Sequence, residues 1–170
     1  SGTNTYTGGT LVSAGRLVGT TYSLQGLITN NAAVTFDQTG TGTYSSVISG
    51  TGSVAKSGAG TVTFSGSNSY SGGSVINGGA LLLNGANTGG GTITVNTSAT
   101  LGGTGSTTAK VSVQSGGQVT PGNGSDPGTL SIGDLTLNTG GTLNIFLSNP
   151  STSVLAVTGN STLGGTVSFT

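Results

Sequence analysis

The 170-residue sequence contains no cysteine, histidine, methionine, tryptophan or glutamate. Without cysteine, the chain can form neither disulfide bonds nor thiolate metal sites. Without histidine and glutamate, it lacks the side chains that most often act as general acids and bases. We therefore expect no enzymatic activity, no catalytic residue, no cofactor or cofactor-binding residue, and no metal ligand.

Charged side chains are also scarce, with three basic and three acidic residues and a net charge of zero. Nucleic-acid binding needs a basic stripe, and binding to anionic lipid needs a polybasic segment, so neither partner is expected. The chain has no apolar run long enough to form a membrane-spanning helix. It starts within a repeat at Ser1, so we expect a fragment whose export signal and anchor lie elsewhere in the polypeptide.

Glycine, serine and threonine make up more than half of the chain. Such a composition is typical of flexible segments, but leucine, isoleucine, valine and phenylalanine exceed the level of roughly 20% below which disorder is expected. The many threonine and valine residues favour strands, and the glycines favour turns. The composition therefore predicts an all-β protein.

Short apolar–polar–apolar triplets recur along the chain and are separated by glycine pairs. This alternation is typical of a strand with one buried face, and glycine permits the tight corners between strands. The triplets are Val34-Thr35-Phe36, Val62-Thr63-Phe64, Ile93-Thr94-Val95, Val111-Ser112-Val113, Leu130-Ser131-Ile132, Leu135-Thr136-Leu137 and Val167-Ser168-Phe169.

One segment occurs twice: residues 2–12 match residues 66–76, and the match continues through residues 15–17 and 79–81. A β-helix coil takes roughly 20 residues, so the offset of 64 residues predicts about three coils between the copies and about eight coils in the chain. Asn-Gly pairs at residues 77, 84 and 123 leave hairpins, and hence a sandwich or barrel, as the alternative. Three-residue strands joined by glycine corners favour a single-stranded right-handed parallel β-helix.

The order of motifs in residues 46–82 resembles the passenger-associated transport repeat of bacterial type V autotransporters. The motifs are I-S-G-T-G at 48–52, K-x-G-x-G-T at 56–61, S-G-x-N-x-Y-x-G-G at 65–73 and G-x-L at 79–81. Residues 1–18 resemble the end of a preceding copy. Residues 101–170 resemble the downstream end of such passengers, through segments 117–123, 127–130, 135–137 and 163–167, although the strand at 154–157 lacks the acidic residue that often precedes it in the family.

The resemblance implies two regions: residues 1–100 as β-helix coils with passenger-associated repeats, and residues 101–170 as C-terminal coils like the autochaperone region. It further implies secretion to the surface of a Gram-negative bacterium, through the periplasm and outer membrane. The partner would be a C-terminal outer-membrane β-barrel of the same polypeptide. The expected function is that of a structural stem that supports the export, folding and display of a distal adhesin or virulence effector.

Two other functions are weighed against the stem. In the first, the β-helix surface is an adhesin that self-associates or binds a host ligand. In the second, the chain is an enzyme such as a polysaccharide lyase, which would need acidic clusters with calcium or basic groups.

The few side chains that could take part in catalysis or binding have simpler structural explanations. We expect Asp126 and Asp134 to cap turns, and Lys56 and Lys110 to be solvated rather than paired with a serine in a catalytic dyad. The Asn-x-Tyr segments at 4–6 and 68–70 are expected to satisfy backbone groups at corners and to pack over glycine turns. Thr-x-Thr pairs at residues 5, 41, 61 and 92 are too irregular to form an ice-binding array.

Overall fold

A computed structural model describes residues 2–124, 126–148 and 151–170. The described chain has 22 strands and no helix, so it contains no helix that could cross a membrane. Every ladder between the strands is parallel, and the chain winds about eight times around one axis. The predicted all-β parallel solenoid is thus confirmed.

The strands form three faces that the chain visits in turn. Face 1 contains β1 (Thr10–Val12), β3 (Ile28–Asn30), β6 (Ile48–Ser49), β11 (Ala86–Asn87), β14 (Ser106–Thr107), β17 (Thr129–Ile132) and β20 (Val154–Val157). Face 2 contains β2 (Arg16–Gly19), β4 (Ala33–Asp37), β7 (Ser53–Ser57), β9 (Ser74–Ile76), β12 (Thr92–Val95), β15 (Lys110–Val113), β18 (Leu135–Leu137) and β21 (Ser161–Leu163). Face 3 contains β5 (Thr41–Tyr44), β8 (Thr61–Phe64), β10 (Gly79–Leu83), β13 (Ala99–Gly103), β16 (Gln118–Pro121), β19 (Thr142–Ile145) and β22 (Thr166–Phe169).

The core is a set of side-chain columns that run along the axis. The parallel register pairs like with like, as where Val34 lies over Val54 on face 2 and Leu81 over Leu101 on face 3. Burial alternates along many of the strands, as in β8, where Val62 and Phe64 are buried while the threonine between them is partly exposed. The expected inward direction of the apolar triplet residues is therefore confirmed in the central coils.

Three aromatic rings pack together near the start of this core. Phe36 lies 5.2 Å from Phe64 and 5.3 Å from Tyr44 between ring centroids, in edge-to-face geometry. The Tyr44 hydroxyl donates a hydrogen bond to the Gly26 carbonyl. Burial raises the pKa of Tyr44 well above its ordinary value, so this phenol stays protonated as a donor. The cluster thus places three of the eight aromatic side chains of the sequence together in one part of the core.

The coils are longer near the end of the chain. On face 2, Val34, Val54 and Ser74 are successive partners at steps of 20 residues. From Val111 to its partner Leu135 the step is 24 residues, and from Leu135 to Ser161 it is 26. The additional residues lie in the connections from face 3 to face 1, at 122–128 and 146–153.

The two copies of the internal repeat lie about three coils apart, as predicted, but on different faces. Three coils before Ser74, the face 2 ladder reaches Leu17, whereas the matching copy of Ser74 in the sequence is Thr10. Thr10 lies in β1 on face 1. The two copies are therefore three coils and one face apart, because three coils on face 2, from Leu17 to Ser74, take only 57 residues and the offset is 64.

The Asn-Gly pairs do not form strand hairpins. Outside the parallel ladders of the described chain, the antiparallel contacts are two isolated bridges, Gly103 with Gly122 and Leu147 with Thr152. The sandwich or barrel alternative is therefore wrong. In the last coil, Val167 and Phe169 are exposed, contrary to the triplet pattern, because β22 pairs with β19 on one side alone.

Truncation of a column residue should cost far more than truncation of the same residue on the outside. Leu101 is fully buried, so Leu101→Ala should lower the free energy of unfolding by about 2–5 kcal/mol. Leu11 is 68% exposed on face 1, and Leu11→Ala should change it by no more than about 0.5 kcal/mol. Urea unfolding followed by circular dichroism would measure both, and equal effects would contradict the inward assignment of the columns.

Candidate functional site

The three aspartates serve as hydrogen-bond acceptors at corners. Asp126 accepts a hydrogen bond from Asn123 Nδ2 at 2.6 Å, and its backbone N–H donates to Asn123 Oδ1 at 2.7 Å. Asp134 accepts one from the Asn160 backbone N–H at 2.8 Å. Asp37 accepts one from Ser57 Oγ at 3.0 Å. The expected turn-capping role is confirmed for Asp126, whereas Asp134 binds the backbone of the next coil instead of its own turn. None of these partners is a second carboxylate.

No group of three or more histidine, cysteine, aspartate or glutamate side chains gathers within residues 2–124, 126–148 and 151–170. Metal binding of the usual kind requires such a group. The described part of the chain therefore offers no set of metal ligands.

Lys56 is buried rather than solvated, and the prediction for this residue is wrong. Its side chain is only 1% exposed, at the inward position of β7 between Phe36 and Ile76 in the neighbouring coils. Lys56 follows Val54 by two residues, so the in–out period of the strand turns both side chains inward. That period was the signal that could have identified a buried lysine in the K-x-G-x-G-T motif.

The Lys56 ammonium group binds the corner that follows its own strand. Its Nζ donates to the carbonyls of Ser57 at 2.7 Å, Gly58 at 2.8 Å and Gly78 at 3.1 Å. Two of these carbonyls belong to one coil and the third belongs to the next. The lysine therefore satisfies three backbone acceptors and fastens two coils together.

The same geometry excludes a serine–lysine dyad at this position. Lys56 contacts the carbonyl of Ser57, while the Ser57 hydroxyl donates to Asp37. Burial lowers the pKa of Lys56 below its ordinary value, and the nearby Asp37 carboxylate opposes that shift. The only other lysine, Lys110, begins β15 on the outside of face 2 and is exposed, as expected.

Glycine is required at the corner that Lys56 binds. Gly58 has a φ of +75°, a conformation that L-residues with a side chain rarely adopt. A Cβ atom at Gly58 would also lie 2.4 Å from the carbonyl oxygen of Gln38 in the preceding coil. The second residue after the lysine in the motif is therefore fixed by backbone geometry.

Asn68 replaces a missing strand on face 1. Ile48 donates its backbone N–H to Asn68 Oδ1 at 2.9 Å, and Asn68 donates its own N–H to the Ala86 carbonyl at 2.7 Å. One residue thus connects β6 below, through its side chain, to β11 above, through its backbone, where no strand is present between them. The expectation that this asparagine satisfies backbone groups at a corner is confirmed.

Tyr70 lies inside the solenoid within a small polar network. Its hydroxyl is 2.7 Å from Ser74 Oγ and accepts a hydrogen bond from Asn87 Nδ2 at 3.4 Å. Burial raises its pKa, so the phenol remains protonated. Asn87 Oδ1 is buried without a hydrogen-bond partner, which makes Asn87 the least satisfied member of the network.

The first copy of the motif keeps the backbone contact but not the burial. Asn4 donates its N–H to the Tyr22 carbonyl at 3.2 Å and its Nδ2 to the Ser23 carbonyl at 2.6 Å. Tyr6 is exposed, and its hydroxyl accepts hydrogen bonds from Gln25 N–H and Thr10 Oγ1. In both copies the asparagine of the motif therefore hydrogen-bonds to backbone groups of a neighbouring coil, but only the second copy has its tyrosine in the core.

The Thr-x-Thr pairs are not arranged as one regular array. Thr41 and Thr43 lie directly over Thr61 and Thr63 on face 3, but the next coil presents Ala80 and Leu82 in those positions. The pair that begins at Thr92 lies on face 2. The arrangement therefore lacks the constant repetition that ice binding requires.

Loss of the Lys56 ammonium group should destabilise the solenoid, because three partly buried carbonyls would lose their donor. Lys56→Met keeps the length of the side chain and should lower the free energy of unfolding by about 1–3 kcal/mol. Lys110→Met is the matched control and should have little effect, since Lys110 is exposed. Thermal and urea unfolding would measure the stability of both variants. An unchanged free energy of unfolding for Lys56→Met would contradict the role of Lys56 in joining the two coils.

The comparison with protein families agrees with the position of these corner residues. The family model for the passenger-associated transport repeat matches residues 1–18 and 54–83. The second match contains Lys56, Asn68 and Tyr70, and the first contains Asn4 and Tyr6. No curated protein matches the chain.

The matched repeats have a structural explanation in this chain, because their lysine, asparagine and glycine residues close corners and join successive coils. The repeat is found in passengers that a C-terminal translocator of the same polypeptide exports, and it implies a secreted or surface-exposed protein of a Gram-negative bacterium. Two segments of the family repeat within a parallel β-solenoid of about eight turns fit the passenger domain of an autotransporter.

Proposed function

We propose that this chain is the structural stem of an autotransporter passenger, which supports the export, folding and display of an effector located further toward the N-terminus. The observation that supports the proposal most directly is the continuous sheet of face 2. Its eight strands run from β2 to β21 without a break. At about 4.8 Å per coil, they form a rod of roughly 35 Å.

The proposed stem has no chemistry of its own. Its few charged side chains are used at corners or are exposed, and its interior is filled with aliphatic and aromatic columns. Parallel backbone bonds join each coil to the next over the whole length. Such a rod can transmit folding from one coil to its neighbour and keep an effector away from the cell surface.

We further propose that residues 1–100 and 101–170 divide this work, with the second region nucleating folding outside the cell as an autochaperone does. Two features support the division. The longer coils lie in the second region, and the connection after β16 bonds back to β13 through Gly122 and Gly103, in both directions at 2.6 and 2.9 Å. Ser153 Oγ also donates to the Pro121 carbonyl at 2.9 Å, so consecutive long coils are joined to each other.

Surface display of the full-length precursor tests the stem. Val119 is fully buried in β16, and Val119→Asp would place an unpaired carboxylate in the column. Display of an N-terminal epitope, measured by protease accessibility on intact cells against total precursor, should fall several-fold. Gln118→Asp, on the exposed side of the same strand, should leave display unchanged. Equal display of both variants would contradict the proposal.

A second candidate function is self-association through the solenoid side, as in an adhesin. The observation in its favour is a column of outward residues on face 2, which includes Thr94, Ser112 and Thr136 in direct register. Neutral hydroxyl groups in a straight row can bond to a second copy without charge repulsion.

Sedimentation velocity of the isolated chain distinguishes this function from a purely structural stem. Self-association predicts dimers that increase with concentration and that Thr94→Arg with Thr136→Arg abolishes, because like charges would face each other across the contact. A chain that remains monomeric at high concentration would exclude this mode of association.

A further inference from the structure

An open groove of about 620 Å³ runs along the outside of face 3. Its floor consists of Thr41, Thr43, Thr61 and Thr63 on β5 and β8. The parallel register stacks Thr41 on Thr61 and Thr43 on Thr63, so the hydroxyl and methyl groups form two straight rows. Thr41 and Thr43 are exposed, and the floor is accessible from solvent.

The far end of the groove is closed by the connection that follows β16. Gly122, in this connection, bonds to Gly103, and the connection covers Leu82, which points outward from β10 yet is only 9% exposed. This approach depends on Gly102, because a Cβ there would lie 2.7 Å from the Thr120 carbonyl and 2.9 Å from Leu82. This connection, which forms the end wall of the groove, is therefore held in place by backbone contacts.

Polar side chains line this end of the groove. Asn123 and Asp126 are bonded to each other by the two hydrogen bonds of the turn, so their positions are fixed before any ligand arrives. Asn84 stands beside them, and its Oδ1 accepts a hydrogen bond from the Thr104 backbone N–H at 3.1 Å. Leu82 adds a small apolar surface between these groups and the threonine floor.

The lining selects a chemical class of ligand. It contains no basic side chain, so it offers nothing to phosphate, sulfate or a nucleic-acid backbone. A single carboxylate does not form a calcium site, which takes six to eight oxygen ligands. Hydroxyl, amide and carboxylate groups that alternate with methyl groups match the hydroxyl groups and C–H faces of a neutral sugar.

We propose that this groove binds a neutral oligosaccharide, with its chain parallel to the solenoid axis. The threonine rows offer hydroxyl groups in two successive coils, at about 4.8 Å spacing along that axis, and the Asn123–Asp126 turn binds the end of the sugar chain. The proposal concerns ligand capture by the side of the solenoid. It is independent of the stem function, since a chain that binds no sugar could still act as a stem.

Saturation-transfer NMR with the isolated chain tests the groove. The probes are neutral hexasaccharides of glucose, mannose and N-acetylglucosamine, with a heparin hexasaccharide as the anionic comparison. At least one neutral sugar should bind, and the double variant Thr43→Val with Thr63→Val should bind it about 10-fold more weakly, because two hydrogen bonds are lost while the shape of the floor is kept. Thr142→Val with Thr166→Val is the matched control, since these two threonines are stacked in register on the same face but do not line the groove, and it should bind as the unchanged chain does.

Three results would overturn the proposal: binding of heparin alone, failure of all three neutral sugars to bind, or equal binding by the groove variant and the control variant. Circular dichroism of each variant would show whether the solenoid is intact, and valine suits a strand at least as well as threonine does. Failure of this test would leave the display of Val119→Asp and Gln118→Asp unaffected, so the two proposals fail separately.

Discussion

In-register parallel stacking is the constraint on which this structure depends. Each coil must satisfy its backbone groups on the next coil, so every inward position must accept the side chain directly above it. Val34 over Val54 and Leu81 over Leu101 show the result, which is apolar columns made from very short strands. A chain with few aromatics can therefore fill a core, because each strand needs only two inward side chains.

The corners need specific residues in this arrangement, since the chain must turn three times in about 20 residues. Lys56 supplies three hydrogen bonds at one corner, Asn68 replaces a strand at another, and Gly58 adopts a backbone conformation closed to most residues. All three belong to the segment that matches the passenger-associated repeat. The passenger-associated repeat thus contains the corner residues of a coil, which the in–out alternation of the strands does not determine.

Alternation was sufficient to predict seven of the strands and, outside the last coil, their inward residues, because a period of two has the same meaning in every sheet. It was not sufficient for Lys56, whose charge suggested solvent although its position in β7 pointed inward. The faces on which the two copies of the repeat lie could not be predicted either, because the number of residues in a coil depends on connections that have no periodic pattern. The groove on face 3 could not be predicted, since it forms between strands and a connection far apart in the sequence.

The most direct test of the account is the distance between the two ends of one column. Val18 and Thr162 begin and end an outward column on face 2, through Thr35, Ala55, Val75, Thr94, Ser112 and Thr136. The chain has no cysteine, so spin labels on Val18→Cys and Thr162→Cys would be the only ones present. Pulsed electron–electron double resonance should give one narrow distribution of distances between the two labels near 34 Å, from seven steps of about 4.8 Å. A broad distribution, or a distance below about 20 Å, would contradict the stacked solenoid.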